Sequence, residues 1–216
     1  MTIIISRIEP QKKKKNRFNL YTEEKFLLGV SDQSLITFNL HTGKSLTASI
    51  LKKIKQAEQI ISTREQAFRF LARRPHTKKE LELKLYNKNF DVHLIKNIIK
   101  DLEEKKYIDD RAFTTSFIQD EIQIKKNGPN LIKHRLLIKG IEKELIEVTM
   151  ATLYDVTLQW SNCKYQAEKK YKSLKSHPVI KQRQKLAAYL RQKGFNWDMI
   201  QTSISQFIRE DDDEIF

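Results

Sequence analysis

The chain has 216 residues, 39% of them hydrophobic and 31% charged, so it can bury a core while keeping a large solvated surface. Lysine and arginine number 41 against 27 acidic residues, a net charge of +14 that points to a polyanionic partner such as nucleic acid, nucleoprotein or an anionic membrane. A single cysteine, Cys163, excludes an intramolecular disulfide. The apolar run Ile3 to Ile5 is too short for a signal-peptide core or a membrane span, so a cytoplasmic location and no membrane partner are expected.

The first 45 residues predict a small β-rich region. The runs "TIIISRIE", "RFNLYT" and "KFLLGVS" read as three short strands, with Glu23 and Glu24 in a hairpin-like turn between the last two. So small a sheet is marginal alone and is expected to lean on the helix that follows. From Leu46 the apolar spacing becomes helical, with Ala57, Ile60, Ala67 and Leu71 three and four apart. Residues 46–66 read as a connecting helix. Arg73 and Arg74 suit a helix C-terminus, and Pro75 stops the helix.

One short pattern then recurs three times. Leu81 with Leu85, Ile132 with Leu136, and Leu186 with Leu190 each mark the buried face of a short helix. Lys88, Lys139 and Lys193 follow in its last turn, then Asn89, Gly140 and Gly194, the residue types that best adopt a left-handed C′ conformation. Phe90, Ile141 and Phe195 come next and pack back over the turn. Asp91 and Asn196 are good N-caps for a further helix, and Glu142 is a poor one. That helix carries Ile95, Ile98, Ile99 and Leu102 in the first copy, Ile146, Met150 and Leu153 in the second, and Ile200, Ile204 and Phe207 in the third. A longer helix precedes the second and third copies. One is capped by Asp110, with Phe113 and Phe117 as its face; the other carries the stripe Trp160, Cys163, Ala167, Tyr171 and Leu174. The expected fold is mainly α: three tandem three-helix-bundle repeats in a curved modular array over residues 67–110, 111–155 and 156–209, after a small β-rich N-terminal segment and before an acidic tail, 210–216.

Catalytic chemistry finds little support. The histidines, His41, His76, His93, His134 and His177, are scattered without a zinc-binding spacing, and Cys163 lies within an apolar stripe. "HTGKS", His41 to Ser45, lacks the earlier glycine of a phosphate-binding loop, since position 38 is Phe. The adjacent Asp109 and Asp110 read as helix capping. No catalytic residue, metal or cofactor is expected.

The basic residues are the stronger lead. Arg73, Arg74, Lys78, Lys79, Lys84 and Lys88 crowd the first copy; Lys125, Lys126, Lys133, Arg135 and Lys139 the second; Lys181, Arg183, Lys185, Arg191 and Lys193 the third. They recur at the end of the first helix and on the exposed side of the second, and so predict a basic stripe suited to phosphate contacts without base reading. The competing reading is helix-end dipole compensation and solubility. Lys12 to Lys15 and the tail "EDDDEIF" add a basic and an acidic run at the two ends.

"FRFLARRPHTKKELELKLYNKNFDVHLIKNIIKDLEEKKYIDDRAFTTSFI" closely resembles the signature of the RecX family, regulators of the RecA recombinase, in its L-x-R-R helix end, T-K-K-E-L entry and Y-I-D-D-x-x-F link. "KNGPNLIKHRLLIKGI" resembles that family's second repeat, and the likeness spans about residues 57–208. Asn89 stands where the family usually has Gly, and Glu142 where it often has Asp. The resemblance implies a protein lodged in the groove of the RecA–DNA filament that limits strand exchange, in DNA repair, homologous recombination and the SOS response; a monomer is expected, touching single- and double-stranded DNA through the phosphate contacts of the basic stripe with low sequence specificity. The alternative is an independent helix–turn–helix DNA-binding protein, a transcription factor.

Overall fold

The structure is a computed structural model that describes residues 2–12, 14–23 and 25–208. Lys13, Glu24 and the acidic tail lie outside the described residues. The chain divides into two compact units, residues 1–74 with 81–107, and residues 75–80 with 108 onward.

The first unit opens with strands β1 (Thr2–Ile4), β2 (Arg7–Pro10), β3 (Arg17–Thr22) and β4 (Lys25–Ser31), helix α1 (Asp32–Thr37), strand β5 (Ser45–Thr47) and helix α2 (Ala48–Leu71). The run read as one strand, "TIIISRIE", is two. β1 pairs antiparallel with β5, while β2 pairs with β3, and β3 with β4, in a three-stranded antiparallel sheet. Ile5 lies at the break and is fully buried with Leu20, Val30, Leu46 and Ile54. The expected support from the following helix comes through Ile54 and, one turn on, Glu58. The Glu58 carboxylate accepts from the Ser31 N–H at 2.7 Å, the Ser31 hydroxyl at 2.8 Å and Arg17 Nη2 at 3.0 Å. α2 runs unbroken for 24 residues, so the expected connecting helix and the first helix of the first repeat are one element. α3 (Lys78–Tyr86) and α4 (Val92–Glu104) complete that repeat.

The second unit holds α5 (Asp110–Gln123), α6 (Pro129–Ile138) and α7 (Lys143–Leu153), then α8 (Val156–Lys172), α9 (Val179–Gln192) and α10 (Trp197–Phe207). The protein is therefore mainly α, three three-helix repeats behind a small β segment. All six members of the repeated apolar pairs, Leu81 and Leu85, Ile132 and Leu136, Leu186 and Leu190, are fully buried. The turns after α3, α6 and α9 are left-handed at Asn89 (φ 60°), Gly140 (84°) and Gly194 (85°), as the spacing predicts. Among the described residues no helix is long and apolar enough to cross a membrane.

Three local expectations need correction. The cap of α5 is Asp109, which accepts from the Ala112 N–H, because Asp110 instead accepts from the Lys78 N–H at 2.9 Å. Asn196 occupies the N-cap of α10 without capping it, since its Oδ1 accepts from Asn130 Nδ2 at 2.9 Å. The buried face of α5 is Thr114, Ile118, Glu121 and Ile122; Phe113 and Phe117 are only half-buried at its edge.

Within the second unit the repeated turn also docks on a helix start. α6 starts at Gly128 with no side-chain cap, and its first N–H groups would be orphaned. The turn after α9 supplies their acceptors: the Gly128 N–H donates to the Lys193 carbonyl at 2.7 Å, and the Asn130 N–H to the Gly194 carbonyl at 3.0 Å. A helix C-terminus thus meets a helix N-terminus, a pairing that also suits the two dipoles. The approach is so close that a Cβ on Gly128 would lie 2.5 Å from the Gly194 carbonyl, and a Cβ on Gly194 would overlap the Leu131 backbone. The start of α3 receives the turn after α6 in the same way. The Thr77 hydroxyl donates to the Lys139 carbonyl at 2.6 Å, Lys139 pairs with Glu80, and Gly140 lies against the Lys79 stem. In the first repeat the equivalent turn residue, Asn89, is exposed, so nothing there demands glycine.

Gly194→Ala adds both left-handed strain and overlap with backbone, and should cost about 2–4 kcal/mol in urea denaturation. Asn89→Ala, at an equally left-handed but exposed position, carries the strain without the overlap and should cost about 1 kcal/mol. Equal costs would show that close approach is not what the glycine serves.

Candidate polyanion-binding face

The site begins with one acid. Glu121, near the end of α5, has a fully buried side chain. Its carboxylate accepts from Lys125 Nζ at 2.7 Å, Asn127 Nδ2 at 2.6 Å, and Arg135 Nη1 at 2.8 and 2.9 Å. Burial pushes its carboxyl up, but the hydrogen bonds from Lys125 and Asn127 and the charges of Lys125 and Arg135 outweigh that and hold it below the usual range.

A buried polar chain fixes this corner against α8 and α9. The Asn127 carbonyl accepts from the Tyr154 hydroxyl at 2.8 Å, which accepts from Asn162 Nδ2 at 3.1 Å. Burial pushes the Tyr154 hydroxyl up to about 12, so it stays a neutral donor. Gln166 Nε2 donates to the Lys125 and Lys126 carbonyls at 2.8 and 3.2 Å, which places the left-handed turn at Lys126 (φ 53°). Tyr189 then donates to Gln166 Oε1 at 2.7 Å.

Cations gather over this scaffold. Lys170 and Lys193 each place Nζ 5.6 Å from the Tyr189 ring centre. Lys193 is pushed below the usual lysine range, first by burial and then by the charges of Arg135 and Lys169, with Glu121 opposing. It forms no ion pair among the described residues. Lys125, Arg135, Lys169, Lys170 and Lys193 thus cluster about one carboxylate and one tyrosine. Three of the five belong to the expected stripe. Lys169 and Lys170 do not; their only signal is the basic last turn of α8.

The other stripe residues are placed differently. In the first unit Arg73, Arg74 and Lys88 are exposed, and Lys84 lies 5.1 Å from the Phe70 ring. In the second, Lys78 is exposed at the start of α3 beside Lys79, whose stem meets Gly140. Lys126 is half-buried, Lys133 pairs with Glu147, and Lys139 pairs with Glu80 and faces Phe113 and Phe117 at 5.5 Å. Lys181 and Arg191 are exposed, Arg183 donates to the Ile208 carbonyl at 3.4 Å, and Lys185 Nζ lies 2.6 Å from His177 Nε2. So Lys88, Lys139 and Lys193 share a sequence position but not an environment. Among the described residues no group of three or more His, Cys, Asp or Glu is placed to hold a metal ion.

Four family models match the chain: the N-terminal domain of the regulatory protein RecX over residues 3–47, and the first, second and third RecX three-helix domains over 64–102, 109–150 and 158–204. The regulatory protein RecX of Clostridioides difficile strain 630 is 29% identical over 98% of this chain and 99% of its own. That of Bacillus cereus strain AH820 is 30% identical over 98% of this chain and 79% of its own. A crystal structure of a regulatory protein RecX superposes with a TM-score of 0.68 at 27% identity, covering 96% of this chain and 98% of that one.

Because the Glu121 carboxyl is depressed in the folded state, the stability it contributes is present above its ordinary value of 4.5 and is lost as the pH falls through the depressed one. Glu121→Gln should therefore destabilise the protein by about 1–3 kcal/mol at pH 7. In urea denaturation the gap between variant and parent should close as the pH is lowered below that value. A gap independent of pH would mean that the carboxylate charge is not what holds the cluster.

Proposed function

This chain belongs to the RecX family of regulatory proteins, and on that premise we propose that it modulates the RecA recombinase by binding, lodging in the groove of the RecA–DNA filament and limiting recombinase activity and strand exchange. The observation that carries the contact is the gathering of Lys125 and Arg135 on the Glu121 carboxylate and of Lys170 and Lys193 on the Tyr189 ring, with Lys169 acting on Lys193. An anion laid against Lys193 relieves the repulsion from Arg135 and Lys169, so the cluster favours phosphate over water. Backbone phosphate is the ligand such a surface fits, and it carries no sequence preference by itself. The exposed Arg73, Arg74 and Lys88 and the exposed Lys181 and Arg191 extend the basic surface of their respective units. No bond-making step is asked of this chain, and ATP hydrolysis is left to RecA. The protein acts in the cytoplasm as a monomer.

The decisive measurement follows RecA-dependent ATP hydrolysis and strand exchange on single-stranded DNA as the protein is added. Both should fall at stoichiometric amounts, and no change would remove the reading. The double variant Lys169→Glu, Lys193→Glu should weaken filament binding at least about tenfold and lower the slope of log affinity against log salt by about 1–2. Tight binding to one duplex sequence without RecA would favour an independent helix–turn–helix regulator instead.

A further inference from the structure

Beside the cationic cluster, the end of α8, the loop after it and α9 border an open cleft of about 430 Å³. Its floor is apolar: Leu174, fully packed in the core of the third repeat, Ala188, and the ring of Tyr189. Two cations, Lys170 and Lys185, line it together with His177. Neither lysine forms an ion pair with a carboxylate among the described residues. Lys185 instead meets a ring nitrogen, His177 Nε2 at 2.6 Å, and the opposite nitrogen, Nδ1, is buried without a partner. A lysine held only by a ring nitrogen exchanges readily to a phosphate oxygen, because a charge-assisted bond between ions is the stronger of the two.

An apolar floor with one aromatic wall and two unneutralised cations matches the two halves of a nucleotide. We infer that this cleft holds one unstacked nucleotide of a single-stranded polynucleotide, its base against Leu174, Ala188 and Tyr189 and its flanking phosphates on Lys170 and Lys185. The inference rests on the nucleic-acid side of the function proposed above and adds the form of nucleic acid that is read. A base paired and stacked in a duplex has no free face to offer this floor, whereas every single-stranded base does. Phosphate contacts on the neighbouring cluster bind both forms, and the cleft supplies the difference between them. Lys170 belongs to both sites, so a strand whose backbone tracks the cluster passes the mouth of the cleft.

The test uses the full chain without RecA and compares a fluorescein-labelled oligothymidylate of about 20 nucleotides with a duplex of the same length by anisotropy, at fixed salt. Ala188 is exposed, so Ala188→Trp fills the cleft from outside the core. It should lower single-strand affinity about tenfold and leave duplex affinity within about twofold. Lys185→Gln, which adds no bulk, should lower single-strand affinity more than duplex affinity. If both variants change the two affinities equally, or change neither, the cleft is not a nucleotide site. A protein that shows this discrimination but leaves RecA activity untouched would sink the RecA reading and keep the cleft. One that inhibits RecA while both variants bind the two forms as the parent does would sink the cleft alone.

Discussion

Two carbonyl oxygens organise the second unit. Those of Lys193 and Gly194 accept the first N–H groups of α6, doing for that helix what a serine or aspartate cap does elsewhere. The arrangement requires backbone to touch backbone, and glycine stands on both sides of the contact for that reason. Thr77, Lys139 and Gly140 repeat the motif one step earlier with a hydroxyl in place of a backbone donor. Each repeat is small, and its apolar pair buries only one face of one short helix. Within the second unit, the terminus-to-terminus joint sets the register of the second and third repeats.

The same joint gathers the charge. The turn that docks on α6 brings Lys193 close to Arg135, on α6, and to Lys169, on α8. Glu121 anchors that corner, with Lys125, Asn127 and Arg135 all bound to one buried carboxylate. A buried acid and bases that are half-buried or exposed divide the work. The acid fixes geometry, while Lys169, Lys170 and Lys193 form no ion pair among the described residues. At Lys193 the charges of Arg135 and Lys169 repel, and Glu121 only partly offsets them.

Much of this was legible from residue spacing, and the limits are instructive. The apolar pairs and left-handed turns follow from local chemistry, so Leu81, Leu136, Gly140 and Gly194 reveal themselves without a partner. The joint does not, because Thr77 and Lys139 lie 62 positions apart and neither has a distinctive environment until they meet. The strand break at Ile5 was hidden for a similar reason. β1 takes its partner from Ser45–Thr47, where the apolar pattern already reads as the onset of a helix. Asp109 and Asp110 are chemically alike, and only the Lys78 N–H decides which of them caps α5. Within the candidate site, the stripe took in the end of the first helix in the first two repeats, and with it Lys125, but in the third repeat it began only at the second helix and so passed over Lys169 and Lys170 in the last turn of α8. It also gave Lys88, Lys139 and Lys193 equal weight, although a carboxylate already occupies Lys139.

The start of α9 breaks the rule that the starts of α3 and α6 obey. Those two helices begin three residues before the first member of their apolar pair, Leu81 or Ile132, whereas α9 begins seven before Leu186. An additional turn of helix therefore stands where a further docking loop would have to land. Asn89, at the other extreme, brings a side chain to the position at which both working joints have none. Tandem duplication of a terminal segment would thus yield a lineage with mismatched neighbours, and a longer descendant would have to arise by copying the middle segment, whose two edges are both already shaped for company.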